Sequence, residues 1–516
     1  MSTKLTFARY KQLRWYSTKN KFQVIEPVLD KISVGEMKHR THPGIIRPRV
    51  PEHPKWLYDV IRILLKDTSI PIKSIYTSGQ KMALYLKGRH APPEGKDIEI
   101  KLKKVQNRLK QDISMEDLQH NQKALRLFKD LVYHWAPIEY DRHTGLSYLV
   151  SRSVPEYTVL YKIFNEIKHR DTDFVPKTLF DFGSGVGTVM WAASYFWVKS
   201  IMEYYCVDVS GDMNDLSEYI IKRATPHITS KYIFYRQFLP ASPVPTYDIV
   251  VSAYSLLELP NQKTRIEVIK KLWDKTSRYL IIVEQGTKVG FEIINEARDF
   301  ILNYTEKDES GVHVFSPCPH DLTCPRSLQD KLPCNFEVVY LTLPIPKTSE
   351  YKRERYSYVV LKKEKRSEND DNWPRLINQV LKRSKHAICR MCAASGELHE
   401  QVFTAWQNGK QTYRCARSSE WGDRLPVTTE KTKEITEADK WREKMKIEGT
   451  VDKEGIEEIV DEEGIEETAD EKRIKETMEI EEVIDLIKKL MDEKERKEAT
   501  GTEETDVLPS NDPNKH

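Results

Sequence analysis

Apolar residues recur along this chain with two different periods, and the change of period marks out its elements. From Thr178–Phe182 they run almost unbroken, as in a short buried strand. After Gly183, Gly185 and Gly187 the run Thr188–Trp197 reads as the first turns of a packed helix. Short apolar runs return at 203–208, 232–235, 247–252 and 277–283, with helical spacing over 264–274. Strands alternating with helices predict an α/β fold with a parallel, doubly wound sheet. A further helix is expected over 292–302, and 336–343 with 356–361 are expected to end the sheet as an antiparallel pair. Upstream, 55–65 and 113–133 carry apolar positions at helical spacing, which predicts a helical N-terminal region, and 148–167 is expected as a helix leading into the sheet.

The glycines bring in chemistry. They permit a tight turn and a close backbone approach to a ligand, although an ordinary strand-to-helix turn uses the same spacing. Asp208 ends the next strand about twenty residues on, where an acid can accept hydrogen bonds from two ribose hydroxyls. Asp181-x-Gly-x-Gly-x-Gly187, then a strand, then Val207-Asp-Val-Ser210, resembles the S-adenosylmethionine motif of class I methyltransferases. The resemblance implies that Asp181, Gly183, Gly185 and Gly187 line the methionine half of a cofactor and that Asp208 holds its ribose. The loop after the fourth strand, Ala253-Tyr-Ser-Leu-Leu-Glu-Leu-Pro260, lacks the Asn/Asp-Pro-Pro-aromatic acceptor motif of amino-transferring members, and no cysteine nucleophile follows. Glu258 is open to reading as a proton acceptor or as a capping or surface carboxylate. Arg152 faces a cleft or RNA in one reading and joins a surface ion pair in the other. No catalytic residue is assigned.

Charge is divided unevenly. Residues 451–516 hold 24 of the 79 acids and 10 of the 82 Lys and Arg, leaving 72 basic and 55 acidic residues in 1–450. A body that basic suits a polyanion such as RNA, or else is a solvated lysine-rich surface. Residues 1–25 are basic, hydroxylated and free of acids, as in a mitochondrial presequence, with a disordered arm as the alternative. The repetitive, acidic segment 428–516 predicts disorder, with a transient helix over 478–491. No apolar run approaches the ~20 residues that span a bilayer, so no membrane partner is expected.

Six of the seven cysteines lie between 318 and 415; the other is Cys206. An intracellular setting disfavours disulfides, and thiols flanked by prolines in loops suit a metal site. Zinc takes paired Cys-x-x-Cys hooks, a form that only Cys389/Cys392 has. An iron–sulfur cluster accepts wider, irregular spacing and Cys-Pro ligands. Unligated thiols are the bland alternative.

The glycine loop, Cys318-Pro-His-x-x-x-Cys324-Pro, Cys334, Trp373-Pro-Arg375, Cys392-x-x-x-Gly396 and Tyr413-Arg-Cys-Ala-Arg-x-Ser-x-Trp-Gly-Asp423 together resemble a known family. It is the methyltransferase-like family of mitochondrial small-ribosomal-subunit assembly factors, and the likeness covers about 145–426. It implies a class I methyltransferase-like domain over 145–365, with a cysteine loop at 315–335 and a cysteine-containing extension over 366–427. These would follow a presequence (1–25) and a helical region (26–144), and precede the acidic tail. It implies a four-iron–four-sulfur cluster on Cys318, Cys324, Cys334 and Cys392, with Cys389 in reserve and Cys415 as a structural thiol. It also implies a mitochondrial matrix location. The implied partners are the small ribosomal subunit, its rRNA and other assembly factors. Arg375, Lys382, Arg383, Lys385, His386 and Arg390 would offer RNA a basic surface beside the cluster. The other function class is an active S-adenosylmethionine-dependent methyltransferase acting on small-subunit rRNA or a ribosomal protein.

Overall fold

The computed structural model describes residues 22–429 apart from 47–52, 94, 133–136, 225–227, 229–231, 243–244, 306–310, 330–331, 346–347 and 368–370. The expected leader up to residue 21 and nearly all of the acidic tail, including 478–491, lie outside the described residues. The described chain forms two units, Ala91–Ile138 and the remainder.

In the smaller unit the helices Gly95–Leu109, Met115–His120 and Gln122–Val132 enclose Ile98, Val105, Leu118 and Phe128. The single helix expected over 113–133 is thus two. Asn121 leaves the helical conformation (φ −108°, ψ 92°), and its Oδ1 accepts the Ala124 N–H at 3.1 Å as a cap for the second helix.

The strands of the larger unit are β1 (Phe22–Val24), β2 (Thr178–Phe182), β3 (Glu203–Val207), β4 (Tyr232–Arg236), β5 (Tyr247–Ala253), β6 (Thr276–Gln285), β7 (His313–Ser316), β8 (Phe336–Leu341), β9 (Tyr351–Lys362), β10 (Arg375–Leu376), β11 (Leu381–Lys382), β12 (His386–Cys392), β13 (Leu398–Thr404) and β14 (Val427–Thr429). The main sheet has the order β4-β3-β2-β5-β6-β9-β7, with β8 also paired to β9. Strands β2 to β6 run parallel, and β9 runs antiparallel to β6, β7 and β8. This is the doubly wound sheet that the alternating pattern predicts. Its order reverses between β2 and β5, which opens a crevice beyond their carboxyl ends.

Helices cover both faces, so the central strands carry apolar residues without alternation. Ile249, Val250 and Val251 on β5 are fully buried, as are Leu280, Ile281, Ile282 and Val283 on β6. The helix Ser153–Arg170 packs on Thr188–Trp197, with Phe164 edge-on to Trp197 at 5.5 Å. Helices Lys55–Asp67 and Ile72–Gly88 add Leu57, Ile61, Leu64 and Ile75 to the same core. Each such side chain contributes about 1.5–3 kcal/mol on burial. The helix expected over 148–167 is split at Arg152 into Arg142–Ser151 and Ser153–Arg170. Among the described residues no helix is long and apolar enough to cross a membrane.

Two boundaries differ from the expectation. First, β9 pairs with β8 as expected but also separates β6 from β7. Tyr356 pairs with Gln285 on one side and Phe336 on the other, so β7 and β8 share one edge of β9. The cysteine loop therefore spans 317–335, because Phe315 and Ser316 belong to a strand. Second, the C-terminal extension is completed by the N-terminus. Strands β10 to β13 form a small antiparallel sheet, and β1 pairs with β14. Phe22, Val24, Val28 and Ile32 enter one core with Met391, Phe403, Leu425 and Val427. Residues 22–24, within the expected 1–25 leader, thus pair and pack with the C-terminal extension, and the 26–144 region is divided between three packing environments. Pairing between the two ends of a chain leaves no mark on local periodicity.

Candidate cofactor cleft and cysteine cluster

The glycine loop leaves β2 at the switch point. Gly183, Gly185 and Gly187 have φ of +71°, +50° and +92°, a region that other residues enter only with strain. A Cβ on Gly183 would stand 2.3 Å from the Ser255 Cβ, so the turn after β5 presses directly on the loop. Asp181 is buried, and neither of its carboxylate oxygens has a hydrogen-bond partner. Burial, and then the nearby Asp208, push its pKa well above the carboxylate range. Asp208 accepts the Gly185 N–H at 2.8 Å and the Ser210 N–H at 3.0 Å. Burial also raises its pKa, against those two donors. Four of the five expected cofactor residues thus form one motif around β2, and Asp208 closes on it from β3. The expectation that Asp208 faces a ribose meets a competitor in the loop's own Gly185 N–H.

Tyr140 lies across this crevice. Its carbonyl accepts from Ser210 Oγ at 2.6 Å, beyond β3, and its phenol donates to Glu258 Oε1 at 3.3 Å, beyond β5. Tyr140 therefore bridges the turns that follow β3 and β5, the two strands that flank β2. The Arg89 guanidinium donates to the same Glu258 oxygen. Glu258 is therefore the anchor of a strap, and its carboxylate is engaged rather than free as a base. A cavity of about 10 Å³ remains beside it between Arg89, Tyr148, Glu156, Tyr254 and Glu284, space for about one water. Burial raises Glu284 to about 8 and Glu156 to about 7. Tyr254, in the turn after β5, holds φ +59° and buries a hydroxyl without a partner. Arg152 is neither in an RNA-facing position nor on the surface. It is buried in ion pairs with Glu156 (3.3 Å) and Glu354 (2.9 Å).

The second site grows from the edge of β9. The cysteine loop leaves β7 and returns to β8, so both of its feet stand on one strand, where Ser357 Oγ donates to the Cys334 carbonyl at 2.9 Å. Three guanidiniums hold it. Arg298 donates to the carbonyls of His320 (3.3 Å) and Leu322 (2.5 Å). Arg366 forms a two-pronged pair with Asp321, at 2.8 Å on each prong. Arg375 donates to the carbonyls of Pro317 (2.9 Å) and Gly422 (2.8 Å) and pairs with Glu166 at 2.6 Å. Arg375 is thereby removed from the expected basic surface: it is a buried tie between helix Ser153–Arg170, the cysteine loop and the C-terminal extension. Arg390 is half-buried and paired with Glu400, whereas Lys382, Arg383 and Lys385 are exposed.

The β12–β13 hairpin brings the last thiol. Its turn, with Gly396 at φ +78°, abuts Leu322 of the cysteine loop. Alternation along β12 sends Cys389 into the core with Phe403 and Cys415, and Cys392 to the side of Cys334. Cys392 Sγ lies 3.3 Å from His320 Nε2. Burial raises Cys324 to about 11 and Cys334 and Cys392 well above the thiol range, each also feeling the charge of its neighbours among Cys318, Cys324, Cys334 and Cys392. Cys389 and Cys415, raised to about 12 by burial, stand outside this group. The Arg298 guanidinium, buried beside Cys318 and Cys324, leaves its Nε without a partner. Among the described residues no three His, Cys, Asp or Glu are disposed to close on a single metal ion. A four-iron cluster holds its thiolates farther apart than one ion does, and thiols from two neighbouring segments beside a buried guanidinium are a donor set of the kind it takes.

The family profile described as "Mitochondrial small ribosomal subunit Rsm22" matches residues 142–426. The chain belongs to this family. Its human relative "Ribosome assembly protein METTL17, mitochondrial" is 37% identical over 400 residues, covering 76% of this chain and 86% of that protein. "Ribosome assembly protein RSM22, mitochondrial" of Saccharomyces cerevisiae is 24% identical and covers 36% of this chain and 45% of that one. Among solved structures, magnesium protoporphyrin IX methyltransferase (ChlM) from Synechocystis with bound SAM matches at 11% identity and a TM-score of 0.26, covering 47% of this chain and 93% of that one. A SAM-dependent methyltransferase from Aquifex aeolicus gives 14% identity and a TM-score of 0.26, covering 44% and 100%. The class I methyltransferase-like fold of this Rsm22-family chain rests on its own strand order and not on those scores. The matched span takes in both the glycine loop and every cysteine of the cluster.

Proposed function

We propose that this chain is a mitochondrial assembly factor of the small ribosomal subunit that works in the matrix and binds rRNA. Its four thiols Cys318, Cys324, Cys334 and Cys392 would hold a four-iron–four-sulfur cluster. The observation that supports this best is that the β12–β13 hairpin brings Cys392 against Cys334 and His320 of the cysteine loop, where a cluster would join the methyltransferase-like sheet to the C-terminal extension. Such a cluster supplies cross-linking, with no substrate chemistry required of it. Arg298 would offset its negative charge. The names of the relatives agree with ribosome assembly. A presequence upstream of β1 would supply the mitochondrial address, and other assembly factors are the expected companions on the subunit.

A second reading is an active methyltransferase. It is favoured by Asp181, whose unpartnered carboxylate suits the ammonium of S-adenosylmethionine. In that reading Gly183, Gly185 and Gly187 admit the cofactor's methionine half, and the Tyr140–Glu258 contact must open to let it in. The turn after β5 offers Tyr254 but no engaged acceptor-holding amide or nucleophile.

Rescue of cells depleted of the protein separates the two. Gly185→Arg with Asp208→Ala blocks the cleft, and Cys318→Ser removes one thiol; both are compared at equal folded abundance. Rescue of mitochondrial translation by the cleft variant alone supports the cluster-dependent assembly factor. Failure of a stably folded cleft variant supports the methyltransferase.

A further inference from the structure

The helix Lys410–Ser418 and the turn before it carry a feature that neither the cleft nor the thiols use. Trp406 sits on that turn with 90% of its surface exposed, more than any other large apolar side chain among the described residues. Lone exposed apolar residues need no explanation, but this one is held on a rigid mount. Thr404 N–H donates to Asn408 Oδ1, and Gln407 N–H donates to Thr404 Oγ1, each at 3.1 Å. Asn408 Nδ2 in turn donates to the Phe22 carbonyl at 3.2 Å, which fastens the turn to β1. The turn is thus tied to the fold, and the indole it carries stands in solvent.

Beside it the helix is two-faced. Thr412, Cys415 and Ala416 are buried, whereas Lys410, Arg414 and Arg417 recur at the spacing of one outer face. The Arg417 guanidinium donates to the Arg383 carbonyl, which aligns the exposed Lys382 and Arg383 with that face. On the other flank lies His39, whose pKa is lowered by burial and then by the charges of Arg414 and Arg40. Glu420 offsets part of this charge through Lys382 at 3.9 Å. Cations gathered on the helix that follows an exposed indole match a polyanion that also offers flat aromatic faces.

We infer that Trp406 and the Lys410–Arg414–Arg417 face form a docking surface for single-stranded RNA, an unpaired base stacking on the indole while phosphates follow the helix. This rests on the rRNA-binding reading above and assigns where the contact is made. A paired base in an A-form helix has no free face for the indole, so single strands are favoured over duplexes. Each base stacked on an aromatic side chain is worth about a fivefold to hundredfold change in affinity.

The test uses the full chain, a fluorescein-labelled single-stranded RNA without internal pairing, and a duplex of equal length. Binding is measured by anisotropy over a series of salt concentrations, for wild type, Trp406→Ala, Trp406→Phe and Arg414→Ala. Trp406→Ala is expected to weaken single-strand binding about tenfold with an unchanged salt slope, with Trp406→Phe recovering most of it. Arg414→Ala is expected to lower the slope by about 0.7, one phosphate contact on a single strand. Trp406 is nine-tenths exposed, so an unchanged melting curve is expected for Trp406→Ala. Wild-type binding with no change in Trp406→Ala overturns the inference alone, as does equal weakening for strand and duplex. Loss of ribosomal-subunit association by Trp406→Ala with unchanged RNA affinity also overturns it, in favour of a protein partner. A wild-type protein that binds neither RNA overturns the rRNA reading as well.

Discussion

The sulfur of Cys392 lies 3.3 Å from His320 Nε2, joining the β12–β13 hairpin to the cysteine loop across 72 residues of chain. The contact fixes which cysteine of Cys389-Arg-Met-Cys392 faces the other thiols. Cys392→Ser is expected to lose bound iron and sulfide after anaerobic reconstitution, while Cys389→Ser retains them. Iron and sulfide analysis with the visible absorbance of the cluster reads the outcome. The reverse result would move the fourth ligand into the Phe403 core.

Arg375 and Glu166 make the second link between the sheet and the extension. Burial alone would raise Glu166, but Arg375 and Arg170 outweigh it and hold the carboxyl down at about 2, against an ordinary 4.5. A depressed carboxyl stabilises the fold above its unfolded value. That contribution, on the order of 3 kcal/mol, should fade as pH falls from about 4.5 to about 2. Arg375→Ala leaves Glu166 buried without its main partner and should cost about 3–5 kcal/mol at neutral pH. Urea unfolding of the two proteins at several pH values checks both statements.

Asp181 has the opposite sign. Its raised pKa means that the folded state keeps a proton that the unfolded chain releases, so stability is lost as pH rises above about 4 toward the folded value. Asp181→Asn should therefore stabilise the cofactor-free chain at neutral pH, by about 1–3 kcal/mol. It should also abolish any affinity for S-adenosylmethionine, read by calorimetry. A stabilised variant that still binds the cofactor would remove Asp181 from the cleft chemistry.

Gly183→Ala tests the closeness of the β5 turn. The added methyl would meet Ser255 in a backbone conformation that alanine resists, so a loss of about 1–3 kcal/mol is expected. Ser255→Gly in the same chain should return part of it, because the clash is with the serine Cβ. A single substitution that leaves the melting temperature unchanged would show that the loop and the turn are not in contact.

The parallel strands and their glycine turn were legible in the sequence because each is a local pattern. An apolar run of strand length, a change of period and a glycine that must turn can be read within about ten residues. The thiol-bearing loop was legible in composition, through its prolines and cysteines. Three features were not. Arg152 and Arg375 look like surface cations, and their burial depends on Glu354 and Glu166, which lie 202 and 209 residues away. Tyr140 gives no local sign that it crosses the cleft. The strand β1 is three residues of an apparently basic leader until β14 pairs with it.

By itself, then, the sequence determined the parallel strands and the helices between them, the glycine loop that a ligand or a turn requires, and the stock of thiols. Those follow from side-chain volume, backbone freedom and hydrophobic period, which act between near neighbours. Only the tertiary structure decided that Cys392 packs beside Cys334, which cations lose their water to a buried carboxylate, and that Tyr140 bridges the turns after β3 and β5. Such contacts join residues far apart in the chain, and their energies depend on burial, a property that no local pattern carries.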